Sequence, residues 1–155
     1  MILTNPIELQ QFNARGGVVQ ASVAIVDDDL QIAQALGHWV ELQGLQALHF
    51  SCAERLLQTL THDTAHQNVS ATRTDLHPSG LVAAILDLNL PGLSGVALAH
   101  LLRSLDARLP LVVVTALSEA ERRHYGELPA GVHCLQKPFD LDALESALFF
   151  PLLMA

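Results

Sequence analysis

A doubly wound α/β domain built on one parallel sheet is the fold this 155-residue sequence predicts, and three observations predict it. Short apolar runs of strand length alternate five times with segments of helical apolar spacing, the order that yields parallel strands, right-handed crossovers and helices on both faces. The run Leu81-Val82-Ala83-Ala84-Ile85-Leu86 is apolar throughout and too short for a typical helix, as a strand buried on both faces should be. Several of the runs also break into a polar residue or a turn signal, so chemistry-bearing side chains are carried at strand ends.

Composition narrows the function classes. Half the residues are apolar, enough for a single sizeable core, and the formal charge is −8 with only eight Lys plus Arg. That balance speaks against a nucleic-acid surface on this chain, although a basic output domain could lie outside it. Cys52 and Cys134 are far apart with no CxxC or finger spacing, which predicts reduced, buried thiols in a cytoplasmic protein. Residues 1–6 lack a basic segment followed by an apolar run, and no apolar stretch approaches ~20 residues, so neither secretion nor membrane spanning is expected.

Residues 1–20 show no clear period and contain Pro6 and Gly16-Gly17, predicting a poorly ordered extension with at most a short helical turn. Ala21 to Val26 is the first strand, and Ile32, Leu36, Trp39 and Val40 then mark a helix from about Leu30 to Gln43 that stops at Gly44, with Trp39 in the core. Leu45 to Phe50 is the second strand. Ser51-Cys52-Ala53-Glu54 has the form of a capping box and opens a helix to about Thr61. Residues 62–80 are polar and aperiodic, read as a surface insertion adapted to a partner or mobile. His62 and His66 within it have the spacing of two helical metal ligands, but no third ligand accompanies them and a solvated loop explains them as well.

After the central strand, Ser94 caps a helix carrying Val96, Leu98, Leu101, Leu102 and Leu105 that ends before Pro110. Leu111 to Thr115 is the most strand-like run. Ser118-Glu119-Ala120-Glu121 is a second capping box, heading a short, charged helix. His133 to Gln136 is the last strand, ended by Lys137-Pro138. Asp140 then caps a helix with Leu141, Leu144, Ala147 and Leu148, stopped by Pro151, beyond which residues 151–155 form a tail.

In a parallel sheet all carboxyl ends open on one side, so Asp27-Asp28-Asp29, Asp87, Thr115 and Lys137 become neighbours. Taken singly, each has a plainer explanation: the aspartates could favour a helix N-terminus, Thr115 could be a β-former, and Lys137 a surface charge. Taken together they form a specific set. Carboxylates packed closely raise one another's pKa unless a cation compensates, and Mg²⁺, a hard ion held by one or two carboxylates and waters, suits them. Asp87 is then a nucleophile able to form an acyl phosphate. Lys137 and the Thr115 hydroxyl would meet the oxygens of the phosphoryl group, and the small Ala116 would leave it room.

These residues, as Val26-Asp27-Asp28-Asp29, Asp87-x-x-x-Pro91-x-x-x-Gly95, Thr115-Ala116 and Lys137-Pro138-Phe139, resemble the receiver domain of two-component response regulators over roughly residues 21–150. The resemblance implies a flavodoxin-like (βα)₅ fold with strand order 2-1-3-4-5, Asp87 as phospho-acceptor, Asp28 as direct Mg²⁺ ligand and Asp27 as an acidic neighbour holding the ion through water. It implies further that the Asn89 backbone carbonyl completes the metal site, that Thr115 and Lys137 sense the phosphoryl group, and that Asp29 caps the first helix. The implied partner is a histidine kinase or phosphotransfer protein, with a possible homodimer. The domain would catalyse its own phosphorylation and slow dephosphorylation without being a turnover enzyme.

Three departures from the family's pattern stand out. Cys134 occupies the position three before Lys137 where an aromatic switch residue is usual. Leu117 stands two after Thr115, where a polar group often positions attacking water, so slow hydrolysis is expected. The insertion at 62–80 lengthens the connection before the central strand. Two competing readings remain: a phosphate-independent pseudo-receiver acting as an interaction module, and a magnesium phosphohydrolase of the haloacid-dehalogenase type, which would want an Asp where Asn89 stands.

Overall fold

The computed structural model describes residues 11–12, 18–65 and 80–153. Five parallel strands form one sheet: β1 (Ser22–Val26), β2 (Gln46–Phe50), β3 (Leu81–Asp87), β4 (Leu111–Thr115) and β5 (His133–Gln136), in the order β2-β1-β3-β4-β5. The reversal of strand order between β1 and β3 puts their carboxyl ends on either side of a crevice, the place where open α/β sheets bind ligands. Between the strands run α1 (Leu30–Leu42), α2 (Ala53–Ala65), α3 (Gly95–Leu105) and the four-residue α4 (Glu119–Arg122), which continues as a 3₁₀ turn over Arg123–Tyr125. The last helix, α5 (Leu141–Leu153), follows β5.

Alternation along the strands builds two cores. Val23 and Ile25 of β1 face the layer of α1 and α5, with Leu36, Val40, Leu144 and Leu148. Ala24 and Val26 face that of α2 and α3, with Leu56, Leu60, Leu98 and Leu102. In β3 the alternation slips: Val82 and Ala83 both pack in the first layer, because the register against β1 shifts between Ser22 and Val23 and admits one extra residue. All seven residues of β3 are buried, as its unbroken apolar run requires. Trp39 is core, 7% exposed, and stacks on Phe149 at a centroid distance of 5.6 Å.

Several sequence expectations need correction. Gln11–Phe12 pairs antiparallel with Val18–Val19, while the rest of the expected extension, residues 1–10 and 13–17, lies outside the described residues. The second helix continues past Thr61 to Ala65, so the polar stretch begins as helix; His66 lies outside the described residues. Ser51 and Glu54 do not form the expected box. The helix begins at Ala53, a residue later than that box requires, and the Glu54 carboxylate instead accepts the backbone N–H of Leu93 at 2.9 Å. Pro151 does not stop α5, which runs to Leu153; a proline this near a helix end forfeits only one ladder bond. The two thiols are free, but each is half-buried: Cys52 lies between β2 and α2, and Cys134, on the edge strand β5, packs against the side of the α2–α3 core layer.

The other caps behave as read. Asp29 accepts from the N–H groups of Gln31 and Ile32, Ser94 from that of Ala97, and Asp140 from that of Ala143. Ser118 and Glu121 complete a reciprocal capping box at α4.

Candidate functional site

At the carboxyl end of β1 the chain enters Asp27, whose side chain is 1% exposed, then the exposed Asp28, and then Asp29 as helix cap. Asp27 is held in place by accepting the Asp29 backbone N–H at 2.8 Å. Asp87, 7% exposed, ends β3 directly alongside. Carboxylate oxygens of Asp27, Asp28 and Asp87 all lie within 4.8 Å of one another. Lys137, the first residue after β5, reaches back across the sheet to put its Nζ 3.3 Å from Asp27 Oδ2 and 3.7 Å from Asp87 Oδ1.

Thr115 stands one residue beyond Val114, the register partner of Asp87, and is fully buried. Its backbone carbonyl accepts the Lys137 N–H at 2.7 Å, so the last strand's exit is tied to the site. Its hydroxyl accepts the Leu117 N–H at 3.0 Å, which leaves the hydroxyl proton free to be donated elsewhere.

The charge pattern has a measurable consequence. Burial foremost, and then the neighbouring Asp27 charge, push the Asp87 carboxyl up to about 6, against the opposing pull of Lys137 and of the Asn89 backbone N–H. A carboxyl raised in the folded state stabilises the fold most when protonated, so that contribution is present below its ordinary value of 3.8 and is lost as pH rises through about 6. We therefore expect Asp87→Asn to raise the Tm of the metal-free protein relative to wild type, by little near about pH 4 and by several degrees near about pH 7. Thermal melts in chelator across that range check it, and a difference that did not grow with pH would contradict it.

The donor set fits a hard divalent cation: three converging carboxylates, one of them exposed to solvent, with a single ammonium that leaves the cluster net negative.

The loop after β3 is braced from two sides that sequence reasoning missed. Glu54 of α2 holds the Leu93 N–H, a bond that also keeps its carboxyl below the usual range. Tyr125 donates its hydroxyl to Asn89 Oδ1 at 3.1 Å. Neither contact belongs to a local pattern, the partners being 39 and 36 residues apart, so no sequence signal announced them. At the foot of α3, Gly95 lies against the backbone of Asp87 and Leu88, where its N–H bonds the Leu88 carbonyl at 2.9 Å.

Residues 23–149 match the family model of the response regulator receiver domain. The chain belongs to that family. Curated relatives of this receiver domain include the C4-dicarboxylate transport transcriptional regulatory protein DctD of Rhizobium meliloti (strain 1021), 30% identical over 131 residues that cover 79% of this chain and 23% of the relative. The transcriptional regulatory protein PrrA of Mycobacterium leprae (strain TN) is 30% identical over 128 residues, 83% of this chain and 48% of the relative. The receiver domain thus spans less than half the length of either. Among solved structures, a sensor protein from Polaromonas sp. JS666 superposes with a TM-score of 0.64 at 26% identity, covering 87% of this chain and 98% of that one. A response regulator receiver protein from Sinorhizobium medicae WSM419 superposes with a TM-score of 0.66 at 17% identity, covering 86% and 94%, and bears out the flavodoxin-like fold.

Within this receiver domain Cys134 lines a pocket of about 510 Å³ under α4, together with Leu88, Val96 and Leu128, so no aromatic ring fills that space from β5. No helix among the described residues is long and apolar enough to cross a membrane.

Proposed function

We propose that this receiver domain is a Mg²⁺-dependent phospho-acceptor that takes a phosphoryl group from a phosphohistidine of a histidine kinase or phosphotransfer protein onto Asp87. The observation that carries this reading is the Asp87 carboxylate at a strand end, with Lys137 Nζ at 3.7 Å and two further carboxylates within 4.8 Å. In the transfer an Asp87 oxygen attacks phosphorus, the P–N bond of the donor breaks, and the imidazole leaves and takes up a proton from solvent. Lys137 lies close enough to follow the charge from Asp87 onto a phosphoryl oxygen, while the Thr115 hydroxyl, with its proton free, donates to another.

Asp27, Asp28, Asp87 and the backbone carbonyl of Asn89 would hold the ion, which supplies neutralisation of the phosphoryl charge. Asp27 is engaged by Lys137 and the Asp29 N–H, and exposed Asp28 is the freer of the two to contact metal directly. Phosphorylation would bias a two-state equilibrium by binding one state better, with an output outside residues 21–150 or on a partner. A cytoplasmic location and a homodimeric assembly go with that reading.

Incubation with Mg²⁺ and acetyl phosphate, followed by intact-mass measurement, tests it. Wild type is expected to gain one phosphoryl group and Asp87→Asn none. Absence of label on wild type would favour a phosphate-independent pseudo-receiver, and rapid turnover of phosphate esters would favour a phosphohydrolase.

A further inference from the structure

Tyr125 is the one tyrosine of the chain, and it ends the 3₁₀ turn that follows α4. Its hydroxyl donates to Asn89 Oδ1 at 3.1 Å, and the Asn89 backbone N–H in turn bonds the Asp87 carboxylate. The segment that carries Tyr125 is unusual in how it is held. Neither α4 nor the turn buries a single residue, and part of the space beneath them is the 510 Å³ pocket, walled by Glu119, Arg122, Arg123 and Gly126 on the segment's side. Polar contacts anchor it instead: Leu117 N–H on Thr115 Oγ1 before it, Tyr125 on Asn89 at its end, and His100 Nε2 on the Glu127 carbonyl at 2.7 Å just beyond. Two of these three lead to the ends of β3 and β4, one to Asn89 just beyond Asp87 and one to Thr115 itself.

We propose that Tyr125 is a positioning residue for the chemistry at Asp87, a proposal that rests on the phospho-acceptor reading. Hydrolysis of the acyl phosphate requires a water oxygen to attack phosphorus while the P–O bond to Asp87 breaks, the carboxylate leaves, and the water's proton passes to an acceptor. A primary amide two residues from Asp87 serves that step when its oxygen faces the water and opposes it when its NH₂ does. The Tyr125 hydroxyl fixes the Asn89 oxygen on its own side, so the amide offers donors and not an acceptor on the other. The label is thereby protected, and the α4 segment is tied to the state of Asp87.

The test follows the loss of label by intact mass after acetyl phosphate is removed, in wild type, Tyr125→Phe, Asn89→Ala and the double variant, all with Mg²⁺. Tyr125→Phe is expected to shorten the lifetime of the label about fivefold, the scale of one hydrogen bond. In the Asn89→Ala background the same change is expected to do nothing, because the amide it releases is absent. A purely structural role for the ring would act equally in both backgrounds. A Tyr125→Phe lifetime within about twofold of wild type, or an undiminished effect without Asn89, overturns the proposal alone. A wild type that takes no label overturns the phospho-acceptor reading and this proposal with it.

Discussion

Lys137→Ala is expected to slow labelling of Asp87 by acetyl phosphate by about two to three orders of magnitude, the scale on which one preorganised charge acts in a water-poor site. Among the described residues, Lys137 is the cation paired with both buried carboxylates, at 3.3 Å from Asp27 and 3.7 Å from Asp87. Its removal leaves Asp27 with the Asp29 N–H and lets the carboxylates repel one another. It also removes the attraction that restrains the upward displacement of the Asp87 carboxyl, so more of that carboxyl is protonated near neutral pH. Lys137→Arg keeps the charge but spreads it over a planar fork, and should recover only part of the rate. Labelling of Lys137→Ala within about threefold of wild type would show that the ammonium takes no part in the transfer.

Gly95→Ala should be severely damaging for the addition of a single methyl group. A Cβ at this position would meet the Asp87 carbonyl oxygen and the Leu88 backbone closer than side-chain carbons approach backbone atoms, and neither can yield without moving β3. The requirement is for space, because Gly95 is not among the residues of positive φ. The first turn of α3 would have to back away, breaking the Gly95 N–H to Leu88 carbonyl bond at 2.9 Å and shifting Asp87. A loss of about 2–4 kcal/mol of stability is expected, with the label lost in parallel. Urea unfolding measures it, and an unchanged midpoint would mean that the strand end is softer than its burial indicates.

How much of this was legible beforehand depends on the range of the interactions. The parallel sheet and the meeting of Asp27, Asp28, Asp87 and Lys137 follow from runs of apolar residues and from what ends them, which are local patterns with a global consequence; the strand order was implied by the family resemblance. The caps at Asp29, Ser94, Ser118 and Asp140 are readable for the same reason, since each is a contact over two or three residues. Glu54 shows the limit. Its spacing from Ser51 matched a local motif, but the start of α2 at Ala53 put it out of register for capping, and its carboxylate found Leu93 instead. Tyr125 carried no motif at all, and its partner is set by where two loops happen to meet. The second helix ran longer than its apolar period because adding residues to an established helix is far less costly than starting one.

The stacked Trp39 and Phe149 lie in the layer of α1 and α5, whereas α2 and α3 pack on the opposite side of the sheet. Trp39 is the sole indole of the polypeptide, so its emission is a built-in optical gauge of one layer only. Any fluorescence change that accompanies acylphosphate formation has crossed from the strand tips into that layer, and a silent signal would confine the response to the loops and the other half of the domain.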